Sequence, residues 1–339
     1  ISVTVYQLGD VDRIQGDAAL DRAQALDNGV AVQAFSPENL QGGVIVDAML
    51  GTGLGGEVRA PFLGAIEAVN SSELPVLAVD VPSGLCGDTG RVLGTAVRAD
   101  VTVCFIGLKR GLFTGDAPDY TGLIQFTDLQ IPAEVYQRVT SDCARLELEP
   151  LLEAMPGRPA SAHKGLYGSV LIIGGDYGMA GAVAMAAEAA IRCGAGLVNV
   201  ATRPEHVSSL VARTPEVMSH GVNAGEDLAP LIDRASVLVV GPGLGQSNWS
   251  EQVMAAALES TKPMVLDADG LNLLAAGKLV ASPRRQDWIL TPHPGEAARL
   301  LGVGTSEIQG DRFAAATQIQ QRYGGVAVLG GERGVSGTG

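Results

Sequence analysis

Short apolar runs, each ending in a loop of glycines, prolines or carboxylates, recur along the whole of this 339-residue chain. In the first half they occupy residues 2–7, 30–34, 44–50, 76–81, 101–106 and 123–126, with helical stretches at 18–27 and 61–70. Apolar runs this short and this continuous read as strands buried on both faces. Strands interleaved with helices argue for a parallel α/β sheet, and Rossmann-like is the pattern they fit.

A change follows near Leu146. Residues 147–159 hold a short amphipathic helix and two prolines and read as a connection between domains. A second α/β series then starts, with strands at 169–173, 197–201, 237–240, 263–266, 288–291 and 326–329 and a helix at 182–193. The chain length also favours two domains. We therefore expect a first domain over residues 1–145, a linker over 146–160 and a second domain over 161–339. Residues 2–7 already read as a strand and the chain stops soon after residue 329, so both ends fall where a βα protein would continue. The sequence reads as an internal fragment.

Composition narrows the function. Hydrophobic residues make up 46% and charged residues 18%, which describes a soluble globular protein with ample core. The net charge is −14, and no basic block relieves it. Such a surface repels nucleic acid and anionic membranes, so neither is expected as a partner. An anionic ligand must instead be held locally, by backbone N–H groups, helix N-termini or a cation. The cysteines, Cys86, Cys104, Cys143 and Cys193, form no C-x-x-C pair, so there is no zinc or redox signature. Cys104 and Cys193 lie in apolar segments and read as buried core thiols. A reducing cytoplasm is the expected location.

Two loops stand out in the first domain. Asp47 ends a strand that opens into Gly51, Thr52, Gly53, Leu54, Gly55, Gly56 and Glu57. Glycines let backbone N–H groups approach a phosphate closely, although such a loop is as often a plain tight turn. Asp80-Val81-Pro82-Ser83-Gly84 follows another strand. Asp80 sits where open α/β sheets bind ligands, with turn-capping as the alternative. Asp47 and Ser83 are hard oxygen donors that suit a monovalent cation. Lys109, just past a third strand, can neutralise a phosphate, shuttle a proton or simply be solvated.

In the second domain, small residues between Gly178 and Ala182 would let a flat ring or a diphosphate lie against the backbone, at the start of a helix with free N–H groups. The spacing is neither G-x-G-x-x-G nor a Walker loop. Gly241-Pro242-Gly243-Leu244-Gly245 makes a rigid turn. Asp267, Asp269 and Asn272 can hold a magnesium shell through water or orient a hydroxyl. His293 is fixed between two prolines.

In order along the chain stand a G-T-G after a strand aspartate, D-V-P-S-G, H-K-G-x-x-G, I-I-G-G-D, G-P-G-L-G, D-A-D-G-L-N, T-P-H-P-G-E-A-A-R-L-L-G and Y-G-G-V-A-V-L. This set resembles the bifunctional bacterial enzymes that repair hydrated NADH and NADPH, and the resemblance covers essentially the whole chain. It implies a Rossmann-like domain that epimerises C6 of the hydrated nicotinamide ring. It also implies a ribokinase-like domain that phosphorylates the ring hydroxyl with ADP or ATP and magnesium, then eliminates phosphate. Hydroxide is a poor leaving group and phosphate a good one, so a kinase fold can drive a dehydration.

By position, the resemblance makes Asp47 and Ser83 potassium ligands. It makes Gly51 through Glu57, Asp80, Ala182, Gly243 and His293 contacts to the hydrated cofactor. Asp80 and Lys109 would handle protons in the epimerisation. The nucleotide-phosphate loop falls on Gly330, Gly331, Glu332, Arg333 and Gly334, where the family's lysine is missing and an acid has entered. The family's first glycine-rich loop and its catalytic aspartate fall outside residues 1–339, which implies low activity for this stretch alone. A homo-oligomer is expected. The competing readings are a ribokinase-group kinase acting on a small molecule such as a hydroxymethylpyrimidine, which leaves D-V-P-S-G unexplained, and a cofactor-binding module without turnover.

The spacing also makes a geometric demand. Gly51 through Glu57 should share a cleft with Asp80, Ala182 should share another with Gly243 and His293, and Asp47 and Ser83 should approach one point.

Overall fold

The computed structural model describes residues 2–155, 157–279, 284–330 and 335–338. The chain divides into two compact units, Ile1–Ala144 and Arg145–Gly339.

The first unit carries six strands: β1 (Thr4–Gln7), β2 (Ala31–Ala34), β3 (Ile45–Asp47), β4 (Val76–Val79), β5 (Val101–Phe105) and β6 (Leu123–Thr127). β1 and β2 pair in parallel as a separate ribbon, and β3-β4-β5-β6 form a parallel sheet in chain order. The strands expected from the sequence are all present, the first five trimmed at their ends and β6 longer by Thr127. Their burial differs from the expectation. β4 and β5 alternate buried and half-buried positions, whereas Val44, Val46, Leu123 and Phe126 stand exposed. β3 and β6 are the edges of that sheet and bury little more than one face, so continuous apolar character does not mean burial on both sides here.

Helix Phe62–Ser71 crosses from β3 to β4 and buries Ala65, Ile66 and Val69. A loop without a helix joins β4 to β5, held by a bridge between Leu85 and Val92. Its apolar residues Val81, Leu85 and Ala96 pack with Cys104 and Leu112, so the loop supplies its own core.

The second unit holds one sheet of eight strands, β7 (Ser169–Ile173), β8 (Leu197–Thr202), β9 (Met218–Gly221), β10 (Val237–Val240), β11 (Met264–Leu266), β12 (Trp288–Leu290), β13 (Val326–Leu329) and β14 (Val335–Thr338). Their order is β14-β13-β12-β11-β10-β7-β8-β9, parallel except for β14, which runs antiparallel to β13. β9 and β14 are additions to the expected set. Each is a short outermost strand, and β9 carries Ser219, His220 and Gly221 in place of a continuous apolar run.

The order reverses at β7. The chain runs outward from β7 through β8 to β9, then returns to lay β10 against the other side of β7, with Val237 opposite Val170 and Val240 opposite Ile173. Loops diverge from such a reversal and leave a crevice at the carboxyl ends of the two strands. The main core lies around β10 to β13, anchored by Trp249, Trp288, Leu266, Leu290 and Ile319. Helix Ala180–Arg192 buries Val183, Ala184 and Ala187 on the other side of the sheet. Its last turn ends at Cys193, which is exposed and so is not the core thiol that its apolar neighbours suggested; Cys104 is fully buried.

Candidate functional sites

In the first unit β3 and β4 are adjacent and parallel, so Asp47 and Asp80 leave the sheet at the same edge. Asp47 is buried. Its Oδ2 accepts from the Ser83 N–H at 2.7 Å and its Oδ1 from the Ser83 hydroxyl at 2.6 Å, with a longer bond of 3.4 Å from Met49 N–H. The Ser83 hydroxyl in turn accepts from the Leu50 N–H at 2.8 Å. Burial pushes the Asp47 carboxyl up, and the bonds from Ser83 and Met49 offset part of that. The donors that face it are neutral. The buried Asp47 carboxylate and the Ser83 hydroxyl thus converge, a pair of hard oxygen donors of the kind that suits a monovalent cation.

Asp80 adopts φ +66°, a left-handed conformation unusual for a non-glycine residue. That turn aims its Oδ1 at the Phe105 N–H, 3.0 Å away, and at the Lys109 ammonium, with which it forms an ion pair. Lys109 also donates to the Phe105 carbonyl at 2.8 Å. Thr52 and Lys109 approach one another over Gly87: a Cβ placed there would stand 3.4 Å from the Thr52 methyl and 3.4 Å from Lys109 Cγ. Glu57 runs beside Gly94 on the loop that carries Ser83. The glycine-rich loop, Asp80 and Lys109 therefore gather at one end of the sheet, on the side expected.

In the second unit Ala182 follows β7 and Gly243 follows β10, so the two flank the sheet's reversal point. Gly243 has φ +57°, and a Cβ on it would stand 2.7 Å from the Met179 carbonyl and 3.0 Å from the Ala182 methyl. The helix that starts at Ala180 has no side-chain cap, and its Ala182 N–H donates to the Met179 carbonyl at 3.2 Å. His293 leaves the same sheet edge after β12, beyond β11.

Four residues here were not foreseen as parts of the site: Asp176, Arg203, Ser247 and Glu296. Asp176 is buried just past β7 and accepts from Arg203 Nε at 2.7 Å and from the Ser247 hydroxyl at 2.7 Å, while its own N–H donates to the Gly243 carbonyl at 2.7 Å. It ties together the loops after β7, β8 and β10. Burial alone would push its carboxyl up, but the bonds from Ser247, Arg203 and Tyr177 N–H and the Arg203 charge outweigh this and hold it below the ordinary carboxylate range. The Arg203 guanidinium lies over both the Tyr177 and the Trp249 rings, 4.5 and 4.4 Å from their centroids. These partners stand 27 and 71 residues from Asp176, so no local pattern announces them. The fourth, Glu296, is a buried acid in contact with His293.

Asp267 and Asp269 are already engaged. Asp267 accepts from the Thr291 hydroxyl, and Asp269 accepts from Gly245 N–H and from the Asn272 amide. No cluster of three or more His, Cys, Asp or Glu side chains that could hold a metal ion directly occurs among the described residues. Of the expected nucleotide-phosphate loop, Gly330 donates to the Pro292 carbonyl at 2.8 Å beside His293. Gly331, Glu332, Arg333 and Gly334 lie outside the described residues.

Taken together, the sheets and loops define a two-unit α/β protein with a parallel Rossmann-like first unit and a ribokinase-like second unit. Residues 1–111 match the family described as YjeF-related protein N-terminus, and residues 170–336 match the family described as NAD(P)H-hydrate dehydratase. The chain is 50% identical, over 98% of its length, to a protein of Coxiella burnetii named bifunctional NAD(P)H-hydrate repair enzyme. It is 42% identical, again over 98%, to the Escherichia coli protein of the same name. The chain belongs to the bifunctional NAD(P)H-hydrate repair enzyme family. It spans 67% and 63% of the length of those two relatives.

Among solved structures, a ribokinase-like superfamily protein from Enterococcus faecalis superposes with a TM-score of 0.50 at 27% identity, covering 58% of this chain and 72% of its own. A protein from Streptococcus mutans superposes with a TM-score of 0.51 at 29% identity, covering 57% and 71%. Among the described residues, no helix is long and apolar enough to cross a membrane.

Proposed function

We propose that the chain carries two sites for the repair of hydrated NADH and NADPH, an epimerase site in the first unit and an ADP- or ATP-dependent dehydratase site in the second, and that it works in the cytoplasm. The observation that carries this reading is the chain-long likeness to enzymes named for that repair, with both expected loop clusters at strand carboxyl ends.

The chemistry of the first site follows from the substrate. C6 of the hydrated ring bears both the ring nitrogen and a hydroxyl. Expulsion of the hydroxyl as water by the nitrogen lone pair leaves a planar iminium, and water adding to the other face inverts the centre. One group must deliver a proton to the departing oxygen and another must recover it from the entering water. Asp80 and Lys109, already sharing a hydrogen bond, suit that exchange. Asp47 and Ser83 would hold potassium nearby, where its charge offsets the substrate's diphosphate. The backbone of Gly51 through Glu57 would line the same cleft.

In the second site the close contact of Gly243 with Ala182 keeps the crevice wall free of side chains, so that a ring or diphosphate can lie on the backbone. The uncapped helix start faces negative charge favourably. Gly330 through Gly334 would meet the phosphates of the nucleotide. Magnesium would enter with those phosphates, since it keeps several waters and binds through few protein groups, and would neutralise their charge. Transfer of a phosphoryl group to the C6 hydroxyl converts it into a good leaving group. Loss of phosphate with a proton from C5 then restores the dihydropyridine.

The test is direct. The purified chain, extended to the length of its relatives so that it carries the family's first glycine-rich loop and catalytic aspartate, is incubated with S-hydrated NADH, ADP and magnesium, and the absorbance of restored NADH is followed. The R form is then supplied with and without a separate dehydratase, to read epimerisation. Absence of both conversions, with the chain folded, would overturn the reading.

A further inference from the structure

His293 sits between Pro292 and Pro294 and caps helix Pro294–Leu301. Its imidazole is held on three sides. Nδ1 accepts the Gly295 N–H at 2.9 Å, so the lone pair points there and the proton of the neutral ring sits on Nε2. Nε2 lies 3.2 Å from Glu296 Oε1. The other oxygen of Glu296 accepts the N–H of His293 itself at 2.9 Å. One buried carboxylate thus fixes both the backbone and the ring of the same residue. The third side is Gly295, where a Cβ would stand 2.7 Å from the ring's Cε1. A residue with any side chain there would push the imidazole off this position.

The ring is nevertheless 59% exposed, while the Glu296 side chain is 7% exposed. Both ring nitrogens are engaged by the protein, which leaves the carbon edge and face of the ring to meet a ligand. An oriented imidazole with no free nitrogen is a flat surface, and it is poorly placed to take or give a proton.

We propose that Glu296 is a positioning residue that fixes His293 as its Nε2–H tautomer, so that His293 meets the ligand with its ring face. The ring-face role rests on the reading of this cleft as the site for hydrated dinucleotide; the tautomer does not. Glu296 contacts no ligand in this scheme and acts through His293.

The experiment labels the chain with ¹⁵N-histidine and records long-range ¹H–¹⁵N correlations, which distinguish the two tautomers. With four histidines in the sequence the spectrum is assignable by substitution, and His163, His206 and His220 report whether the fold survives. His293 should give the Nε2–H pattern. Glu296→Gln keeps an oxygen for the His293 N–H but turns an amide NH₂ toward Nε2, so the pattern should shift toward the other tautomer or a mixture, with the other three unchanged. Gly295→Ala should disturb the same signals without altering charge. A wild-type Nδ1–H pattern, or no change in Glu296→Gln, overturns the role of Glu296.

Turnover of the chain extended to its relatives' length, with hydrated NADH and ADP, tests the ring face. His293→Phe keeps a flat ring with no exchangeable proton and should lower kcat by less than about tenfold, whereas removing a general acid or base costs about a hundredfold or more. His293→Ala should raise KM. A loss in His293→Phe of about a hundredfold in kcat would overturn the ring-face role. Failure of the length-restored wild-type chain to act on hydrated NADH would instead sink the repair reading, and the labelled spectra would still decide whether Glu296 sets the tautomer.

Discussion

Ser83 clasps Asp47 with both of its donors, N–H to one carboxylate oxygen at 2.7 Å and O–H to the other at 2.6 Å, across 36 residues of chain. The carboxylate is buried and raised by that burial, so these bonds do most of what is done to keep its charge tolerable. Ser83→Ala should therefore destabilise the chain by about 1–3 kcal/mol in denaturant unfolding, the cost of leaving a buried acceptor short of a donor. A cation shared by the pair would supply the missing counter-charge. Potassium should then raise the unfolding temperature relative to a large organic cation, and Asp47→Asn should remove that difference. Equal melting in both salts would argue against a potassium site here.

The Asp80–Lys109 pair leads to a separation of activities. Asp80→Asn tolerates the left-handed backbone and can still accept the Phe105 N–H, but it loses the charge facing Lys109. Epimerisation should fall by about a hundredfold to ten-thousandfold, the usual worth of a general acid or base. Lys109→Met should behave alike. Dehydration of the S form should be unaffected, since both residues lie in the first unit. Epimerisation within about threefold of wild type in both variants would exclude them as the proton-handling groups.

Asp176 gives a pH dependence with a definite sign. Its carboxyl is held below the ordinary value of 3.8 by Ser247, Arg203 and the Tyr177 N–H acting against burial. In the folded chain it therefore stays ionised at a pH where the unfolded chain has taken up a proton. The unfolded state then binds more protons, so stability rises with pH through that window. The contribution is complete above the unfolded value and is lost as pH falls through the folded one. Asp176→Asn should be less stable than wild type near neutrality, by about 1–3 kcal/mol. The gap should close progressively as pH is lowered below about 4. Unfolding curves measured at several pH values check this, and a gap independent of pH would contradict it.

How much of this was legible in the sequence depends on the range of the interaction. Strands β7, β10 and β13 were readable to the residue, because a buried parallel strand must be apolar throughout and a βα turn ends it with glycine or a carboxylate. Asp47 and Ser83 were placed as partners by motif before any geometry, and they do meet. β9 escaped notice because an outermost strand can carry Ser219 and His220 at little cost. Cys193 was misplaced because an apolar neighbourhood in sequence does not say which end of a helix reaches solvent. The ties through Arg203, Ser247 and Glu296 were invisible for another reason. Charged and hydroxyl side chains at loop ends show no period, and only the sheet order brings the loops after β7, β8 and β10 together.

Gly243 offers the sharpest test of the second site, because two independent demands fall on it. Its φ of +57° disfavours any side chain, by about 1–2 kcal/mol for an L-residue in the left-handed region. Its missing Cβ is also what lets the loop after β10 touch the start of the helix after β7, since a methyl there would stand 2.7 Å from the Met179 carbonyl, 2.9 Å from Met179 Cβ and 3.0 Å from Ala182 Cβ. Two of those neighbours are fixed, one a backbone oxygen and the other the Cβ of an alanine, so the loop must move away. That movement would strain the bond from Asp176 N–H to the Gly243 carbonyl and widen the crevice at the sheet's reversal point. Gly243→Ala should therefore lower stability modestly, by about 1–3 kcal/mol, and impair dehydration much more than stability suggests. A wall displaced by about 1 Å misaligns the hydroxyl and the phosphoryl group, and misplacement on that scale costs about a hundredfold. Ala182→Gly in the same background removes one of the clashing methyls and should restore part of the lost dehydration, while epimerisation stays at the wild-type rate throughout. Steady-state rates of NADH recovery for the two single variants and the double variant decide the matter. Full dehydration in Gly243→Ala would show that the crevice between β7 and β10 is not where the substrate binds.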